Sequence, residues 1–517
     1  MPKLTIVSSS PVMYDVPEGM TILEALASHG YPHDAPCGGN GKCKKCLIRA
    51  EGALSPRVPA EEGLPEGFRL ACVARIAGDV TVTMRSSDGA EIETAGQSAA
   101  ALPDRGEGYS AAVDIGTTTV VTHLTRLSDG RRLGSRGEMN AERTFGADVI
   151  SRIQASFDPK SAAEMTARIR GQIEDMILSL AAEFSAAVDA IRLVTIAGNT
   201  TMELIFAGIA PTSLGALPFI PPTLFGEDIP SPFKALPDAR VYLFPCAAGF
   251  VGGDTTAAIL ASGMQKKDAL SLLLDIGTNG EIALGNKDGL LVCAAAAGPA
   301  FEGADISAGM ASLPGAINAV RVEDGNIVCD VIGKVPAAGI CGSGLIDALA
   351  CMLTLENVDE TGRLLPPDEC EGDGEKYAVE DEDEKVSFVL GDTGVMITAE
   401  DVRKLQLAKA AIRAGIETLL ETKGVTAEDV DTLYIAGGFG CHINLSSAAA
   451  IGLIPPSLLP KAKFLGNGAG EGAAMVSYSA SAERDTEAIR PLYQYIDLSA
   501  SPVWNDLYIE HMMFEED

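Results

Sequence analysis

Leu272-Leu-Leu-Asp-Ile-Gly-Thr-Asn-Gly-Glu281 is the stretch that decides the fold of this chain. Its aliphatic residues run into Asp275 and then into a Gly-Thr-Asn-Gly turn, a pattern that predicts a buried strand ending in a tight loop. Gly277 and Gly280 let the backbone bend closely around a ligand because they lack a Cβ atom. Consecutive backbone amides in such a turn can point at one anion, and phosphate is the usual one. Asp275, at the end of the strand, is placed to hold Mg²⁺ directly or through water.

A second copy of the pattern occurs earlier, in Ala111-Ala-Val-Asp-Ile-Gly-Thr-Thr-Thr119. Asp114 again ends an aliphatic strand and is followed by Ile-Gly-Thr, as Asp275 is. One such turn would be an ordinary polar turn. Two matching turns in one chain predict two similar lobes that face each other across a phosphate-binding cleft.

Length and charge limit the classes of function. A chain of 517 residues predicts two to four domains. The net charge of −32, from 71 acidic and 39 basic residues, disfavours nucleic acid and anionic membrane as partners. The sequence has no run of about 18 apolar residues and no signal-peptide pattern, so we expect a cytoplasmic location. The 11 cysteines then need a use other than disulfides.

Four cysteines form one motif near the N-terminus. Five residues separate Cys37 from Cys43, two separate Cys43 from Cys46, and 25 separate Cys46 from Cys72. Four thiolates at this spacing suit a [2Fe–2S] cluster, and the glycine-rich first loop leaves its amides free to bond the cluster sulfurs. Zinc is the alternative, but zinc usually takes two close cysteine pairs and this motif has one. The spacing therefore favours the cluster.

The chain divides into three parts on pattern and composition. Residues 1–84 are expected to form one small domain, with an N-terminal hairpin and a short helix that starts at a Thr21–Glu24 capping box. Residues 85–108 lack periodicity and are rich in Ser, Ala and Gly, which predicts a flexible linker that lets the cluster domain swing towards a partner. Residues 109–517 form a long α/β region.

Two glycine-rich turns occur late in the chain. Leu433-Tyr-Ile-Ala-Gly-Gly-Phe-Gly440 is a strand that runs into such a turn, and Phe464-Leu-Gly-Asn-Gly-Ala-Gly470 repeats the theme. Because glycines let a flat base and a ribose approach the backbone, we expect these turns to close over an adenosine.

These motifs carry a family resemblance. Asp114-Ile-Gly-Thr-Thr118, Asp275-Ile-Gly-Thr-Asn-Gly280 and Gly437-Gly-Phe-Gly440 resemble the phosphate-1, phosphate-2 and adenosine motifs of the actin/Hsp70/sugar-kinase ATPase superfamily. The resemblance covers residues 109–480, and it implies an α/β fold in which two ribonuclease-H-like lobes enclose Mg-ATP. The cysteine region resembles plant- and adrenodoxin-type ferredoxins, which implies a β-grasp fold for the N-terminal domain.

A ferredoxin domain fused to such an ATPase resembles the reductive activators of corrinoid proteins. The resemblance implies that a [2Fe–2S] cluster on Cys37, Cys43, Cys46 and Cys72 gives one electron to the Co(II) corrinoid of a methyl-transfer protein. Plant-type clusters have reduction potentials of about −400 mV. The potential for reducing Co(II) to Co(I) lies lower still, so energy input has to be coupled to electron transfer. ATP hydrolysis would supply that energy.

The resemblance also implies roles in the ATPase. Asp114 and Asp275 would organise Mg²⁺ and water, and Glu281 is either a water-orienting residue or a plain surface carboxylate. The residues that would bind phosphate are Gly116, Thr117, Thr118, Gly277, Thr278, Asn279 and Gly280, and those that would flank adenosine are Gly437, Gly438 and Gly440. No Lys or Arg directly follows the threonines of the first motif, so the sequence names no cation that would stabilise phosphoryl transfer.

Other functions stay open at this point. An activator of a 2-hydroxyacyl-CoA dehydratase resembles the same superfamily, but it holds a [4Fe–4S] cluster between two subunits, against the cysteine pattern here. A ferredoxin module with a degenerate ATPase fold is another hypothesis. A small-molecule kinase is a further one, but it would leave the iron–sulfur cluster without a function. The expected partners are a corrinoid protein of a methyltransferase system and a low-potential electron donor. The sequence leaves the oligomeric state open, with a homodimer as one option.

Overall fold

The N-terminal part is a small mixed sheet with one helix packed on it. The computed structural model describes residues 2–7, 12–29, 31, 46–61, 64, 67–83, 94, 96–99, 101–277, 279–303, 305–370, 372–438, 440 and 443–514. Among the first of these, five strands lie in the order β2-β1-β5-β3-β4. The elements of this part are β1 (Lys3–Val7), β2 (Val12–Asp15), α1 (Ile22–Ser28), β3 (Leu47–Leu54), β4 (Phe68–Leu70) and β5 (Ile76–Thr83).

The hairpin and the capping box that the sequence predicts at the start of the chain are confirmed. β1 and β2 pair as an antiparallel hairpin. The Thr21 hydroxyl accepts a hydrogen bond from the backbone N–H of Glu24, and the Glu24 carboxylate accepts one from that of Thr21. This capping box satisfies amides that the first turn of α1 would otherwise leave unbonded.

The first lobe is built on a mixed sheet. Its described strands lie in the order β10-β11-β9-β6-β7-β8, in which β6, β7 and β8 are antiparallel and β9 and β11 run parallel to β6. The elements are β6 (Tyr109–Ile115), β7 (Thr119–Arg126), β8 (Arg132–Met139), α2 (Val149–Ala155), α3 (Pro159–Glu183), β9 (Ile191–Gly198), α4 (Thr200–Ala207), β10 (Glu227–Ile229), β11 (Arg240–Leu243) and α5 (Gly253–Ser262).

The second lobe repeats this topology. In its main sheet β12, β13 and β14 are antiparallel, and β21 and β22 are added parallel to β12 on the other side. The elements are β12 (Ser271–Ile276), β13 (Gly280–Asn286), β14 (Gly289–Ala295), β15 (Ala316–Glu323), β16 (Asn326–Val331), β17 (Gly339–Ile340), α6 (Gly342–Thr354), β18 (Ala378–Glu380), β19 (Val386–Val389), β20 (Met396–Thr398), α7 (Ala399–Lys423), β21 (Thr432–Ala436), α8 (Leu445–Ala450), β22 (Ala462–Gly466), α9 (Gly468–Tyr478), α10 (Ala480–Ile489), β23 (Tyr493–Tyr495) and α11 (Pro502–Glu510). The prediction of two similar lobes is confirmed.

Two helices, α5 and α9, lie between the sheets of the two lobes. One buried cluster joins residues of both sheets to both helices, including Ala112, Ala257, Leu273 and Ala473. The helices approach so closely that a Cβ atom on Gly472 would lie 2.0 Å from the carbonyl oxygen of Ala257. Small side chains on α5 and α9 therefore allow the two lobes to share one core.

The second half of the predicted linker is held on the ATPase lobes. Gly96 forms a β-bridge with Gly466, and the Ala99 N–H donates to the Ala261 carbonyl at 2.7 Å. The sequence predicts flexibility across residues 85–108, but these contacts fix part of that segment. Residues 84–93, 95 and 100 lie outside the described part of the chain.

His123, on β7, is buried under the start of α9. Its Nδ1 lies 2.8 Å from the Ser135 hydroxyl, and its Nε2 has no hydrogen-bond partner among the described residues. A Cβ atom on Gly470 of α9 would lie 2.8 Å from Nε2. Burial, and then the positive charge of Arg132, lower the pKa of His123 to about 3.

We predict that His123 weakens the protein in acid. A histidine titrates near pH 6.5 in an unfolded chain, so between about pH 6.5 and about pH 3 the unfolded state binds more protons and stability falls as pH falls. His123→Gln should remove about 2 kcal/mol of the stability difference between pH 7 and pH 5, measured by urea unfolding of the ATPase lobes. His29→Gln in the cluster domain is the control, and equal pH slopes for wild type and His123→Gln would contradict the account.

Candidate nucleotide and cluster sites

The phosphate-1 loop, residues 116–118, joins β6 to β7 and is held from within the first lobe. The Asn140 side-chain amide donates to the Gly116 carbonyl at 2.8 Å, and its backbone N–H donates to the Thr118 carbonyl at 2.9 Å. The Asn199 amide donates to the Thr117 hydroxyl at 3.0 Å. The loop therefore has a fixed shape before any ligand arrives.

A buried arginine supports the same loop. Arg152 is completely buried; it pairs with Glu142 at 3.2 Å and donates to the carbonyl oxygens of Thr117 and Gly146. Its guanidinium is occupied by these contacts within the protein. Arg152 positions the loop and does not supply the cation that the sequence leaves unnamed.

The phosphate-2 loop, residues 277–280, joins β12 to β13. The Gly277 N–H donates to the Asn279 carbonyl at 2.9 Å and closes the turn. Asp275 is the next-to-last residue of β12 and lies directly opposite Glu281 on β13, so the ladder brings these two predicted residues together. Thr278 lies outside the described residues.

The adenosine motif abuts the phosphate-2 aspartate. Gly437 follows β21 with φ of +90°, and a Cβ atom there would lie 2.4 Å from Oδ1 of Asp275. Only glycine fits this position, because both the backbone angle and the contact exclude a side chain. Gly438 comes next, and Gly440 lies two positions further along the chain.

A side-chain hydrogen bond crosses the cleft at the phosphate-1 loop. The Thr118 hydroxyl lies 3.2 Å from the Glu302 carboxylate, which follows β14 in the second lobe. The phosphate-1 loop therefore contacts the second lobe here, and we call the region between the lobes at this point the cleft.

Asp254 is a central residue of the cleft that our reading of the sequence missed. It lies in the first turn of α5, where its Oδ1 accepts from the Thr255 N–H at 2.7 Å. Carboxylates are favoured at helix N-termini, so it looks like an ordinary cap in the sequence. The available signal was Gly-Gly-Asp at a loop-to-helix junction.

The charge of Asp254 acts on the predicted site residues. Burial, then the charges of Asp254 and Asp275, raise the pKa of Asp114 to about 8. Burial, then Asp254, raise the pKa of Asp275 to about 7, and burial raises that of Asp254 itself to about 6. Burial, then Asp254 and Asp275, raise the pKa of Glu281 well above its ordinary range. The site concentrates acid groups and favours a cation.

Two further polar residues support the cleft. The side chain of Asn467, just before α9, opposes the rise in the pKa of Asp114 and accepts from the Gly470 N–H at 2.7 Å. Glu203 is fully buried, its Oε2 lies 3.4 Å from the Cys246 thiol, and burial raises its pKa well above its ordinary range. Neither residue stood out in the sequence.

The carboxylates do not form a closed metal site by themselves. Within the part of the chain that the structure describes, no group of three or more His, Cys, Asp or Glu side chains is arranged to hold a metal ion. A cation in this cleft would therefore need oxygens from water or from a bound phosphate to complete its shell.

The described cysteines of the N-terminal motif fit an iron–sulfur group. The sulfurs of Cys46 and Cys72 lie 3.1 Å apart in the buried core of the small domain. A disulfide would be about 2.05 Å long, so these two sulfurs are not bonded to each other. Two thiolate sulfurs that each lie about 2.3 Å from one tetrahedral ion are about 3.8 Å apart, so this pair would share one iron after opening by about 0.7 Å. Cys37 and Cys43 lie outside the described residues.

The fold and the cleft define the class: an actin/Hsp70/sugar-kinase-type ATPase joined to a ferredoxin-like domain. Family models agree. Residues 5–77 match the 2Fe-2S iron-sulfur cluster binding domain, residues 109–267 the RACo middle region, and residues 269–517 the C-terminal domain of RACo, the ASKHA domain.

Named relatives narrow the class. Corrinoid activation enzyme RamQ of Eubacterium limosum is 35% identical over 421 residues, which are 78% of this chain and 70% of that protein. The [Co(II) methylated amine-specific corrinoid protein] reductase of Methanosarcina barkeri is 28% identical over 287 residues, 51% of this chain and 48% of that protein. A solved structure of a reductive activator for corrinoid, iron–sulfur protein has a TM-score of 0.70 and 28% identity, covering 99% of this chain and 98% of that one.

The chain belongs to the family of reductive activators of corrinoid proteins, which are enzymes with an iron–sulfur domain and an ASKHA ATPase domain. None of the described helices has the length and hydropathy needed to cross a lipid bilayer.

We predict that, in protein measured without nucleotide, the cleft carboxyls lower the stability as pH rises. Carboxyls whose pKa is raised keep their protons in the folded state between about pH 4 and about pH 8, so stability is lost as pH increases through this window. Asp254→Asn removes one charge and its effect on the others. The Tm loss between pH 5 and pH 8, measured by calorimetry without nucleotide and with EDTA, should be smaller by about 2–4 °C in this variant.

Asp268→Asn is the matched control, because the Asp268 side chain is 87% exposed and lies outside the cleft. Its profile should follow that of the wild type. Parallel profiles for all three proteins would contradict the electrostatic account.

Proposed function

We propose that this chain is an ATP-dependent reductive activator that delivers one electron to the Co(II) corrinoid of a methyl-transfer protein and regenerates Co(I). The observation that carries the proposal is that one chain combines two features. It has a pair of cysteine sulfurs that suits iron, and it has two phosphate loops at a cleft between lobes. When bound, the [2Fe–2S] cluster would supply a one-electron carrier with a reduction potential of about −400 mV. A low-potential donor would reload it.

The cleft residues support binding of Mg-ATP. The backbone amides of residues 116–118 and 277–280 would hold the phosphates, and Gly437, Gly438 and Gly440 would let adenosine approach the backbone. Asp114 and Asp275 lie one residue before the ends of β6 and β12 and would hold Mg²⁺ through water. Mg²⁺ usually keeps several waters and takes few protein ligands, which agrees with the open arrangement of carboxylates here.

Two carboxylates are placed to handle the attacking water. Asp254 lies at the start of α5 within the electrostatic reach of both phosphate-loop aspartates. Glu281 lies across the ladder from Asp275. We assign the water-orienting role to Asp254, with Glu281 as its neighbour, because Asp254 acts on residues of both lobes.

Lobe closure would couple hydrolysis to electron transfer. The Thr118–Glu302 contact already joins the lobes at the phosphate-1 loop, where the γ-phosphate would lie. A nucleotide that binds one lobe angle more tightly than another shifts the protein towards that angle. Hydrolysis then releases it, so one arrangement of the cluster domain is favoured only while ATP is bound.

The direct test follows Co(I) formation by visible absorption, with a corrinoid protein and a chemical reductant. We expect Co(I) only with Mg-ATP. Asp254→Asn should lower both ATP hydrolysis and Co(I) formation by about 100-fold or more, because general-base groups contribute at least that much. Asp268→Asn should leave both unchanged. Equal Co(I) yields with and without ATP would overturn the proposal.

A second test separates the electron carrier from the ATPase. Cys72→Ala should lose bound iron and sulfide and stop Co(I) formation, while its ATPase rate in the absence of a corrinoid protein stays within about twofold of wild type, because Cys72 lies in the core of the N-terminal domain and outside the cleft. EPR of the reduced wild-type protein should show a [2Fe–2S] signal. Zinc without sulfide, or a [4Fe–4S] signal, would contradict the proposed [2Fe–2S] cluster.

A further inference from the structure

The described part of the linker contacts both ends of α9. We call residues 96–99 and 101–105 the strap. At its start, Gly96 bridges Gly466 and the Gln97 N–H donates to the Leu465 carbonyl at 2.8 Å. The strap thus adds to the edge of the second-lobe sheet at β22, directly before α9.

The start of the strap fits only because residue 96 is glycine. A Cβ atom on Gly96 would lie 2.6 Å from the Leu465 carbonyl oxygen and 3.0 Å from that of Asn467. Both contacts are with backbone atoms, which cannot move aside as a flexible side chain could. A larger residue would lift the strap from the sheet edge.

The far end of the strap is fixed at the other end of α9. The Asp104 N–H donates to the Tyr478 carbonyl at 3.2 Å, and the Arg105 Nε donates to the Val476 carbonyl at 3.0 Å. Arg105 also pairs with Glu483 on α10. The strap therefore spans α9 from before its first residue to beyond its last.

The strap also touches the first lobe. Between its two ends, the Ala99 N–H donates to the Ala261 carbonyl on α5 at 2.7 Å. At its far end, Glu483 holds Arg240 of β11, whose Nη1 lies 2.8 Å from the carboxylate. The strap is thus bonded to both of the helices that join the lobes.

The opposite face of the same turn reaches the nucleotide site. The Gly466 carbonyl accepts a hydrogen bond from the Gly437 N–H of the adenosine motif at 3.2 Å. Asn467 follows directly; its side chain acts to lower the pKa of Asp114 and accepts the Gly470 N–H at the start of α9. The Gly96–Gly466 bridge and the Gly437–Gly466 hydrogen bond therefore link the strap to the adenosine motif through one residue.

Polar packing under the strap leaves the lobes able to shift. A cavity of about 220 Å³ lies between Gly96, Arg132, Glu471 and Tyr478. Arg132 of the first lobe pairs with Glu471 of α9 at 2.7 Å, and the Thr125 hydroxyl has no hydrogen-bond partner among the described residues. A polar cavity of this size holds water, which can rearrange at less cost than close apolar packing.

Docking of the strap also shortens the tether of the cluster domain. Only residues 84–95, which number 12, separate the last strand of that domain from Gly96. Such a segment spans at most about 45 Å when fully extended. The position of the strap therefore limits where the cluster can be.

We propose that the strap transmits the nucleotide state to the cluster domain, with Asn467 as the positioning residue on the nucleotide side and Gly96 as the fixed point on the linker side. Nucleotide in the cleft changes the contact of Asn467 with Asp114, which shifts Leu465 and Gly466 and alters how firmly the strap is held. The inference rests on the proposed ATP binding and goes beyond it by naming the route to the electron carrier.

The test is hydrogen–deuterium exchange of the full-length protein with its cluster, with and without a saturating non-hydrolysable ATP analogue and Mg²⁺. Exchange at Gln97 and Ala99 should change by about tenfold when the analogue binds. Asn467→Ala should abolish this change at analogue concentrations that calorimetry shows to be saturating. Leu102→Ala, within the strap but 79% exposed, is the control and should respond as wild type.

A functional readout accompanies the exchange data. Gly96→Ala should keep an ATPase rate within about twofold of wild type, because the residue is outside the cleft, and should lose most of the ATP dependence of Co(I) formation. Arg105→Gln releases the other end of the strap and replaces Gly96→Ala if that variant fails to fold.

The outcomes separate the two claims. If calorimetry shows analogue binding but Gln97 and Ala99 exchange alike in both states, the strap inference is overturned and the proposed function stands. Full ATP-dependent Co(I) formation by a folded Gly96→Ala protein would overturn it as well. If calorimetry shows no analogue binding, the proposed function fails and the inference fails with it.

Discussion

The contact of α5 with α9 between the two sheets is the constraint on which the rest of the structure depends. Gly472 and Ala257 let these helices touch at backbone distance, so the two lobes share one core. The phosphate loops can then face each other from opposite sheets. Because α9 begins at the nucleotide cleft and carries the linker on its outer side, the same contact also decides how the cleft communicates with the cluster domain.

The carboxyl groups that form the binding site in the cleft also lower the stability of the fold. Asp114, Asp254, Asp275 and Glu281 are brought together without a neutralising side chain among the causes of their raised pKa values. Hydrogen bonds and the buried Arg152–Glu142 pair hold the surrounding loop in place and do not cancel this charge. Such an arrangement is expected where a cation and a nucleotide are the missing partners, since perturbed carboxylates cluster at functional sites.

The sequence predicts what depends on short-range pattern. The repeated Asp-Ile-Gly-Thr turn predicts both strand ends, and it correctly implies two lobes of the same topology. The Thr21–Glu24 capping box likewise predicts the start of α1. The site residues that the sequence does not predict act on residues far away in the chain. In the sequence, Asp254 resembles a helix cap and Asn467 resembles part of a glycine-rich turn.

The linker shows the same limit more clearly. Its Ser, Ala and Gly content is typical of a mobile tether, and nothing local to it indicates docking. Gly96 is fixed by Leu465 and Gly466, which lie about 370 residues further along the chain. Small residues that suit flexibility also suit close approach to a backbone, and composition alone does not separate the two. The domain boundaries at residues 84 and 108 stay predictions.

The central claim is that nucleotide turnover and electron delivery are one coupled process. The most direct measurement records phosphate release and Co(I) formation together in one reaction, as the concentration of the Co(II) corrinoid protein is varied. The account predicts that both rates rise together and that their ratio stays constant. Phosphate release that is independent of the corrinoid protein, with Co(I) formation varying separately, would contradict it.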